Sequence, residues 1–179
     1  RQMCIRDSSK ITDLGELQSI GGDAFFNGSK ITNLGKLQSI GRNAFFDYSE
    51  VMDLGKLKII GMNAKFNYSK ITNLGKLQSI GRNAFFNYSE VTDLGELQSI
   101  GGDADFRDSI VTYLGKLQSI GGDVDFGGSK ITSLGNIEYI GGKIMTDKTN
   151  DYLREEYERR INGKSLKLYL IRRLDKKLI

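Results

Sequence analysis

The chain has 179 residues and contains no histidine, no proline and no tryptophan. The absence of histidine removes the most common general base, zinc ligand and pH-responsive group, which argues against most hydrolytic and zinc chemistry. The formal charge of +4 is concentrated at one end, because the residues from Lys148 onward include ten basic and five acidic residues. The preceding part has sixteen basic and seventeen acidic residues and is nearly neutral. No apolar run approaches the length of a transmembrane helix.

The first eight residues, RQMCIRDS, do not fit the repeat that follows them. They resemble translated sequencing-adapter read-through, and we interpret residues 1–8 as a non-native leader. An ordinary disordered terminus is the alternative. Under the first interpretation Cys4 carries no information about the redox compartment.

A twenty-residue unit recurs over residues 9–146. The stretch KITNLGKLQSIGRNAFFNYS, from Lys70 to Ser89, is one complete copy. A fixed period of this length predicts a solenoid in which each copy stacks on the previous one. Within a copy the apolar residues are separated by three, three, three, four and two positions, which fits neither a continuous helix nor a single strand. We therefore expect short straight segments coiled around a shared core. The copies start at Lys10, Lys30, Glu50, Lys70, Glu90, Ile110 and Lys130.

The segment around Ala84 and Phe86 is the clearest strand of the unit. These two positions keep their character in nearly every copy, so we expect both side chains to point into the core. The residue between them varies and should face solvent; it is Phe25, Phe45, Lys65, Phe85, Asp105 and Asp125 in successive copies. A second extended segment is expected at residues 70–72, with Ile71 inward.

Two glycine columns and one serine column run through the repeats without interruption. The columns that begin at Gly15 and Gly21 each recur seven times, which predicts positive φ angles or close backbone approach. The column from Ser29 to Ser129 should turn inward and bond to backbone groups at a corner. A nucleophilic role is not expected for these serines, because no histidine is present to activate them.

The run from Leu77 to Leu97, of the form LxxIxGxAxFxxSxIxxLGxL, resembles a leucine-rich repeat. Its glycine pair and its extra residue before the strand are more similar to the L-domain β-helices of growth-factor receptors and to twenty-residue repeats of bacterial and phage proteins. Serine stands where the leucine-rich repeat has the asparagine of its ladder. The resemblance implies binding of a protein or ligand through the strand face. The predicted fold is a right-handed, leucine-rich-repeat-like parallel β-helix, a β-solenoid of about seven turns.

The repeat pattern decays after Ile140, and residues 147–179 are predicted to form a helical cap over the open end of the solenoid. A helix DYLREEYERRI is expected to begin after an N-cap at Thr149 or Asn150 and to stop at Asn162-Gly163. The final segment is ambiguous: Leu166, Leu168 and Leu170 alternate as in a strand, whereas the leucines from Leu166 to Leu178 recur every four residues as in a helix. We favour the helix.

Two groups of outward residues are candidates for binding. The aromatic group should project from the strand face and its rim, although the rings could instead only stack on one another and stabilise the sheet. The acidic group should form a two-by-two array beside Arg107. This array is interpreted as a solvated acidic face, with a Ca²⁺ site and a glycosidase pair as alternatives. The candidates are Phe25, Phe45, Phe85, Tyr48, Tyr68, Tyr88, Asp103, Asp105, Asp123 and Asp125.

These patterns predict a non-catalytic protein-binding or scaffold module that acts as a monomer or as a fragment of a larger chain. The expected partner is a protein or peptide, and no cofactor and no metal is predicted. The alternatives are a cell-surface or phage adhesin and a carbohydrate-active β-helix enzyme. Basic tail residues such as Arg172, Arg173 and Lys176 could contact nucleic acid or an anionic membrane. Asp175 and the expected capping role argue against that contact, and we do not expect nucleic-acid binding. The alternating column Lys30, Glu50, Lys70, Glu90 is interpreted as surface stabilisation.

Overall fold

The computed structural model describes residues 3–4 and 11–175, and within the second range it describes the side chains of residues 11–163. The chain forms a parallel β-solenoid of about six twenty-residue turns, followed by one helix, α1 (Tyr152–Asp175). The β-solenoid class is confirmed, and the expected seven turns is a slight overestimate. The strands are β1 (Met3–Cys4), β2 (Ser19–Ile20), β3 (Ala24–Phe25), β4 (Ser39–Ile40), β5 (Ala44–Phe45), β6 (Ile59–Ile60), β7 (Ala64–Lys65), β8 (Ser79–Ile80), β9 (Ala84–Phe85), β10 (Ser99–Ile100), β11 (Ala104–Asp105), β12 (Ser119–Ile120), β13 (Val124–Asp125), β14 (Tyr139–Ile140) and β15 (Ile144–Met145).

Two parallel sheets run along the solenoid. The odd-numbered strands form an eight-stranded sheet, here called the face sheet, and the even-numbered strands form a seven-stranded second sheet. From β2 onward, each strand pairs with its equivalent twenty residues away, as Ala84 does with Ala104. Met3 and Cys4 pair with Ala24 and Phe25, a register of twenty-one residues. The rest of the predicted leader lies outside the described residues.

The core consists of the apolar columns that the repeat predicted. Ala84 and Phe86 are both completely buried, so their predicted inward orientation is confirmed. The six phenylalanines from Phe26 to Phe126 stack on one another with ring centroids 4.8 to 5.7 Å apart. This continuous aromatic stack joins each turn to the next, because no turn could bury its own ring alone.

The second extended segment lies later in the unit than the sequence predicted. Ile71 is buried as expected, but the strand of the second sheet is β8, and residues 70–72 are not a strand. Next to them Asn73 forms only an isolated bridge. The backbone turns there, since the Asn73 Oδ1 atom accepts a hydrogen bond from the N–H of Gly75 at 2.5 Å and Gly75 has a φ of 58°.

The two glycine columns meet different main requirements, although close approach also occurs in the first, where a Cβ on Gly35 would lie 2.3 Å from the carbonyl oxygen of Gly15. The column that begins at Gly15 has φ angles between 53° and 60°, which only glycine adopts without cost. In the column that begins at Gly21, successive backbones touch. A Cβ atom on Gly81 would lie 2.2 Å from the carbonyl oxygen of Gly61. This contact fixes the spacing of the turns at that corner.

The serine column points into the core, but it does not make the predicted bonds to the backbone. The hydroxyls of Ser29, Ser49, Ser69, Ser89 and Ser109 are buried and have no hydrogen-bond partner among the described residues. The prediction was wrong because the nearby backbone groups already bond within the turn: the N–H of Ser89, for example, donates to the carbonyl of Phe86 at 3.2 Å.

The first turns of α1 cover the last turn of the solenoid. Leu153 and Tyr157 are buried in the core, and the Tyr157 hydroxyl accepts a hydrogen bond from the Ile140 N–H at 2.6 Å. Glu156 accepts the Leu134 N–H at 3.2 Å, and Arg160 donates to the Gly135 carbonyl at 2.9 Å. Backbone groups that a further turn would have paired are thus satisfied by helix side chains.

Two expectations about the ends of the helix were wrong. Neither Thr149 nor Asn150 is an N-cap: the Thr149 hydroxyl donates to Asp147, and the buried Asn150 side chain accepts the Asp147 N–H at 3.0 Å and donates to the carbonyl of Phe126. The helix also runs through Asn162-Gly163 as far as Asp175, since one glycine in a helix costs only ~1 kcal/mol. The final segment is therefore helical up to Asp175, and residues 176–179 lie outside the described part. No described helix is long and apolar enough to span a bilayer.

Replacing Phe86 with alanine should cost about 3–5 kcal/mol of unfolding free energy, because it leaves a cavity inside the aromatic stack. Phe85→Ala is the matched control, since its half-buried ring lies on the outer side of the same strand. Chemical denaturation of both variants measures the difference. Equal losses would show that the two faces of the strand are assigned the wrong way round.

Adding a methyl group at Gly81 should strongly destabilise the solenoid, because Gly81→Ala forces the new Cβ against the backbone of the previous turn. Gly21→Ala provides the control, as nothing lies within 4 Å of a Cβ at that position in the first turn. Thermal melts should show a large loss for the first variant and little change for the second. Similar melts for both would contradict the close-approach explanation.

Candidate functional site

The outward column of the face sheet contains three of the predicted binding rings, and these rings are packed. Phe25 and Phe45 stack with their centroids 4.7 Å apart and their planes 10° from parallel. The Lys65 ammonium lies between the rings of Phe45 and Phe85, 5.7 Å from the centroid of the first and 5.8 Å from that of the second. All four side chains are half-buried. Their faces are occupied by one another, and cation–π contacts join the two halves of the column.

The three tyrosines at the rim are much more exposed than the phenylalanines. Tyr48, Tyr68 and Tyr88 expose 65%, 49% and 52% of their surface. They stack on one another with centroids 5.0 and 5.1 Å apart. We call these three residues the tyrosine ladder. The Tyr88 hydroxyl is hydrogen-bonded to Asp108 of the next turn, and the turn before Tyr48 has Gly28, which has no side chain, in the equivalent position.

The backbone of the tyrosine ladder is in the left-handed region, where tyrosine is rare. The φ angles of Tyr48, Tyr68 and Tyr88 are 56°, 54° and 53°, and the same column has Asp108 at 52°, Gly28 at 60° and Gly128 at 67°. A side chain in this conformation costs roughly 1–2 kcal/mol. Ring stacking offsets part of that cost, at about 0.5–1.5 kcal/mol per pair. The fold itself accepts glycine at this position, so the rings are not needed to form the turn.

The four predicted carboxylates lie together around a shallow depression of about 330 Å³, which Phe85 and Met145 line from either side. Asp105 and Asp125 pair across adjacent strands of the face sheet. Arg107 contacts both of them: its guanidinium lies 2.6 Å from an Asp105 oxygen and 3.6 Å from an Asp125 oxygen. The array is therefore a mixed cluster in which one arginine supplies positive charge between two aspartates.

The ionisation of Asp105 reflects two opposing influences. Its partial burial acts to raise the pKa, but hydrogen bonds from the side chain and backbone of Arg107 and from Asn87 together hold the pKa below its usual value. The same ion pair raises the pKa of Arg107. At the rim, a hydrogen bond to Asp108 raises the pKa of the Tyr88 hydroxyl. Because the pKa of Asp105 is lowered and that of Arg107 is raised, both groups are charged at neutral pH.

Asp103 and Asp123 belong to a ladder that the sequence reasoning did not identify. In this column each side-chain Oδ1 atom accepts the backbone N–H of the equivalent residue in the next turn. Asn83 accepts from Asp103 at 3.0 Å, Asp103 from Asp123 at 2.9 Å and Asp123 from Lys143 at 2.7 Å. The signal was present in the sequence, since only Asp or Asn occupies this column from Asp23 to Asp123. These two carboxylates thus have a structural role beside the depression.

The described side chains place no three histidine, cysteine, aspartate or glutamate residues so that they could hold a metal ion. Arg107 occupies the position beside Asp105 and Asp125 where a cation would neutralise them. The basic tail residues Lys167, Arg172 and Arg173 lie where the structure describes only the backbone, and Lys176 and Lys177 lie outside it. Their contact with an anionic partner stays a prediction.

Removing the charge at Arg107 should raise the pKa of Asp105, because the guanidinium no longer opposes burial and only the hydrogen bonds from the Arg107 backbone N–H and from Asn87 remain. In the wild-type protein the lowered pKa means that the stabilisation by ionised Asp105 is complete above the usual aspartate value of ~3.9 and is lost as the pH falls through the folded-state pKa. In Arg107→Gln the folded-state pKa of Asp105 should move toward or above the unfolded value, so the stabilisation that Asp105 adds above pH ~3.9 should shrink and the protein should lose less stability on acidification through this range. A carbon-13 titration of the Asp105 carboxyl measures this, and an unchanged titration would contradict the assignment.

No protein-family model, curated protein or solved structure matches the chain. The resemblance to leucine-rich repeats and receptor L-domains consequently stays a prediction from the residues of the repeat. The function must be inferred from the geometry of the described surface.

Proposed function

We propose that the protein is a non-catalytic protein-binding or scaffold module. Its docking surface consists of the tyrosine ladder and the acidic depression beside it on the face sheet. The partner is a protein or peptide that presents an apolar patch next to a basic one. Aromatic anchors supply the affinity of such an interface, whereas complementary charge supplies orientation and association rate.

The observation that supports this most strongly is the conformation of the tyrosines. Three large rings are about half exposed or more on a backbone that favours glycine, in a column where other turns do have glycine. Exposed tyrosines are well suited to recognition because a rigid ring with a hydroxyl offers both apolar contact and hydrogen bonding at low entropic cost. Strained backbone at an exposed cluster is also a common property of functional sites.

The acidic depression supplies the charged half of the surface. Four carboxylates and one guanidinium line it, so it carries a net negative charge between Phe85 and Met145. A lysine or arginine side chain of the partner could lie along these apolar walls with its charged group among the carboxylates. This arrangement favours a basic group beside the apolar one that contacts the ladder.

The state of the carboxylates supports binding over hydrolysis. A general acid needs a raised pKa, but the pKa of Asp105 is lowered. Asp103 and Asp123 each accept a backbone N–H and help to hold the turns together. The depression is also shallow, whereas a glycosidase requires a cleft that surrounds a sugar.

Selection from a random peptide library displayed on phage tests this proposal. Enriched peptides should combine aromatic or aliphatic residues with lysine or arginine, and they should lose binding to a Tyr48→Gly, Tyr68→Gly, Tyr88→Gly variant. Glycine is the suitable replacement because it relieves the positive φ angle while it removes the ring. The variant should therefore remain folded.

The matched control carries Tyr113→Asn and Tyr139→Ser, which remove two tyrosines that are each 56% exposed and lie outside the ladder. This control should bind the enriched peptides as the wild type does. Peptides that bind the ladder variant and the wild type equally would show that the ladder is not the docking surface.

A further inference from the structure

The charged column beside the tyrosine ladder has two ends that lack ion-pair partners. Lys30, Glu50, Lys70 and Glu90 lie one turn apart, two residues after the ladder column, and all four are exposed. The inner two form an ion pair, with Lys70 Nζ 2.8 Å from a Glu50 oxygen. Lys30 and Glu90 form no ion pair within residues 11–163. We call these four residues the charge column.

A second copy of the chain can satisfy both unpaired ends. When two identical solenoids meet edge to edge across a two-fold axis perpendicular to their long axes, each column faces itself in reverse order. With the axis between the turns of Tyr48 and Tyr68, Lys30 faces Glu90 of the second copy, and Glu90 faces its Lys30. Glu50 and Lys70 face each other in the same way. All four charges of each copy then lie opposite a charge of the other sign.

The ladder is complementary in the same register. Tyr48 faces Tyr68 of the second copy, and Tyr88 faces Gly28, the position where the absence of a side chain leaves room for a ring. The neighbouring column places Asp47 opposite Asn67, so it brings no like charges together. The spacing matches along the whole contact because both copies have the same interval between turns, ~4.8 Å.

Other registers are worse for the charge column. Placing the axis one turn later sets Lys30 opposite Lys130, and placing it at the turn of Tyr68 sets Lys70 opposite Lys70 and Glu50 opposite Glu90. In a parallel arrangement with the turns in register, each charged residue faces the same residue of the second copy, so every pair has like charges. Like charges at close range disfavour these alternatives. Of these arrangements, only the antiparallel register with the axis between the turns of Tyr48 and Tyr68 sets all four charges opposite charges of the other sign.

We propose that the tyrosine ladder and the charge column bind a second copy of this chain in an antiparallel, two-fold symmetric dimer. The inference rests on the proposed function, since it names the partner of the ladder. The contact spans four turns, about 14 Å along the solenoid. An interface this small is typical of weak, transient association, and its charged part makes it sensitive to salt. The acidic depression lies beyond these four turns and remains open in the dimer.

Sedimentation velocity over a range of concentrations, at low and at high salt, tests the dimer. The wild-type protein should show concentration-dependent dimerisation that high salt weakens. Lys30→Glu and Glu90→Lys should each weaken it by about tenfold or more, because each sets like charges opposite one another twice. Lys56→Glu is the control, since Lys56 is an exposed lysine on a different column that, like Lys30, forms no ion pair among the described side chains.

Charge exchange tests the orientation. A mixture of the Lys30→Glu and Glu90→Lys variants should form a heterodimer of wild-type strength, because both contacts then join opposite charges. The double variant should likewise recover as a homodimer.

A wild-type protein that stays monomeric at all concentrations would overturn the inference, as would a mixture of variants that fails to recover. The peptide selection is performed on dilute, monomeric protein and separates the two proposals. Ladder-dependent peptides together with a monomeric protein would retain the proposed function and reject the dimer. A dimer that follows the charge exchange, together with peptides that ignore the ladder, would support the second copy and reject the peptide-binding role.

Discussion

The structure depends on the direct contact between glycine backbones of successive turns. At the corner that includes Gly61 and Gly81, the backbones of successive turns lie so close that a Cβ on Gly81 would be 2.2 Å from the carbonyl oxygen of Gly61, which leaves no room for a side chain. This contact holds each turn directly above its predecessor, so equivalent residues meet their equivalents in both sheets. The aromatic stack through Phe86 and the Asp/Asn ladder through Asn83 both require that alignment, because ring stacking and side-chain hydrogen bonding tolerate little lateral displacement.

The same alignment determines the outer surface. An outward residue lies about one strand spacing from its equivalent, so a column of like residues becomes a ladder, and a column of alternating charges becomes a row of possible ion pairs. The phenylalanine column uses this proximity for packing, with Lys65 held between two rings. The tyrosine ladder has the same stacking but remains open to solvent at its edges. The phenylalanine column of the face sheet is therefore packed, whereas the tyrosine ladder, in the turn that follows each strand, is open and is suited to a partner.

The sequence could predict the features that the repeat states directly. The invariance of Ala84 and Phe86 across copies predicted the inward face, and the glycine columns predicted positive φ angles or close contacts, both of which occur. The second strand was misplaced because Ile71 and Ile80 each lie in a short segment with one buried residue, and only the turn at Asn73 distinguishes them. The left-handed tyrosines could not be expected from tyrosine itself. Their signal was the presence of Gly28 and Gly128 in the same column.

The sequence also indicated that the four carboxylates would lie together beside Arg107, and the structure brings them together there. The sequence did not indicate that the tyrosines would be exposed while the phenylalanines are packed.

The glycine contacts also govern how the length of such a protein can change. Inserting or deleting one residue within a turn would displace every later side chain from its column and place a Cβ against the glycine carbonyls. Adding or removing a complete twenty-residue copy leaves every column intact and changes the length by one turn, ~4.8 Å. The length of this architecture therefore changes only in steps of one turn, and the number of copies sets the distance between the two ends of the solenoid.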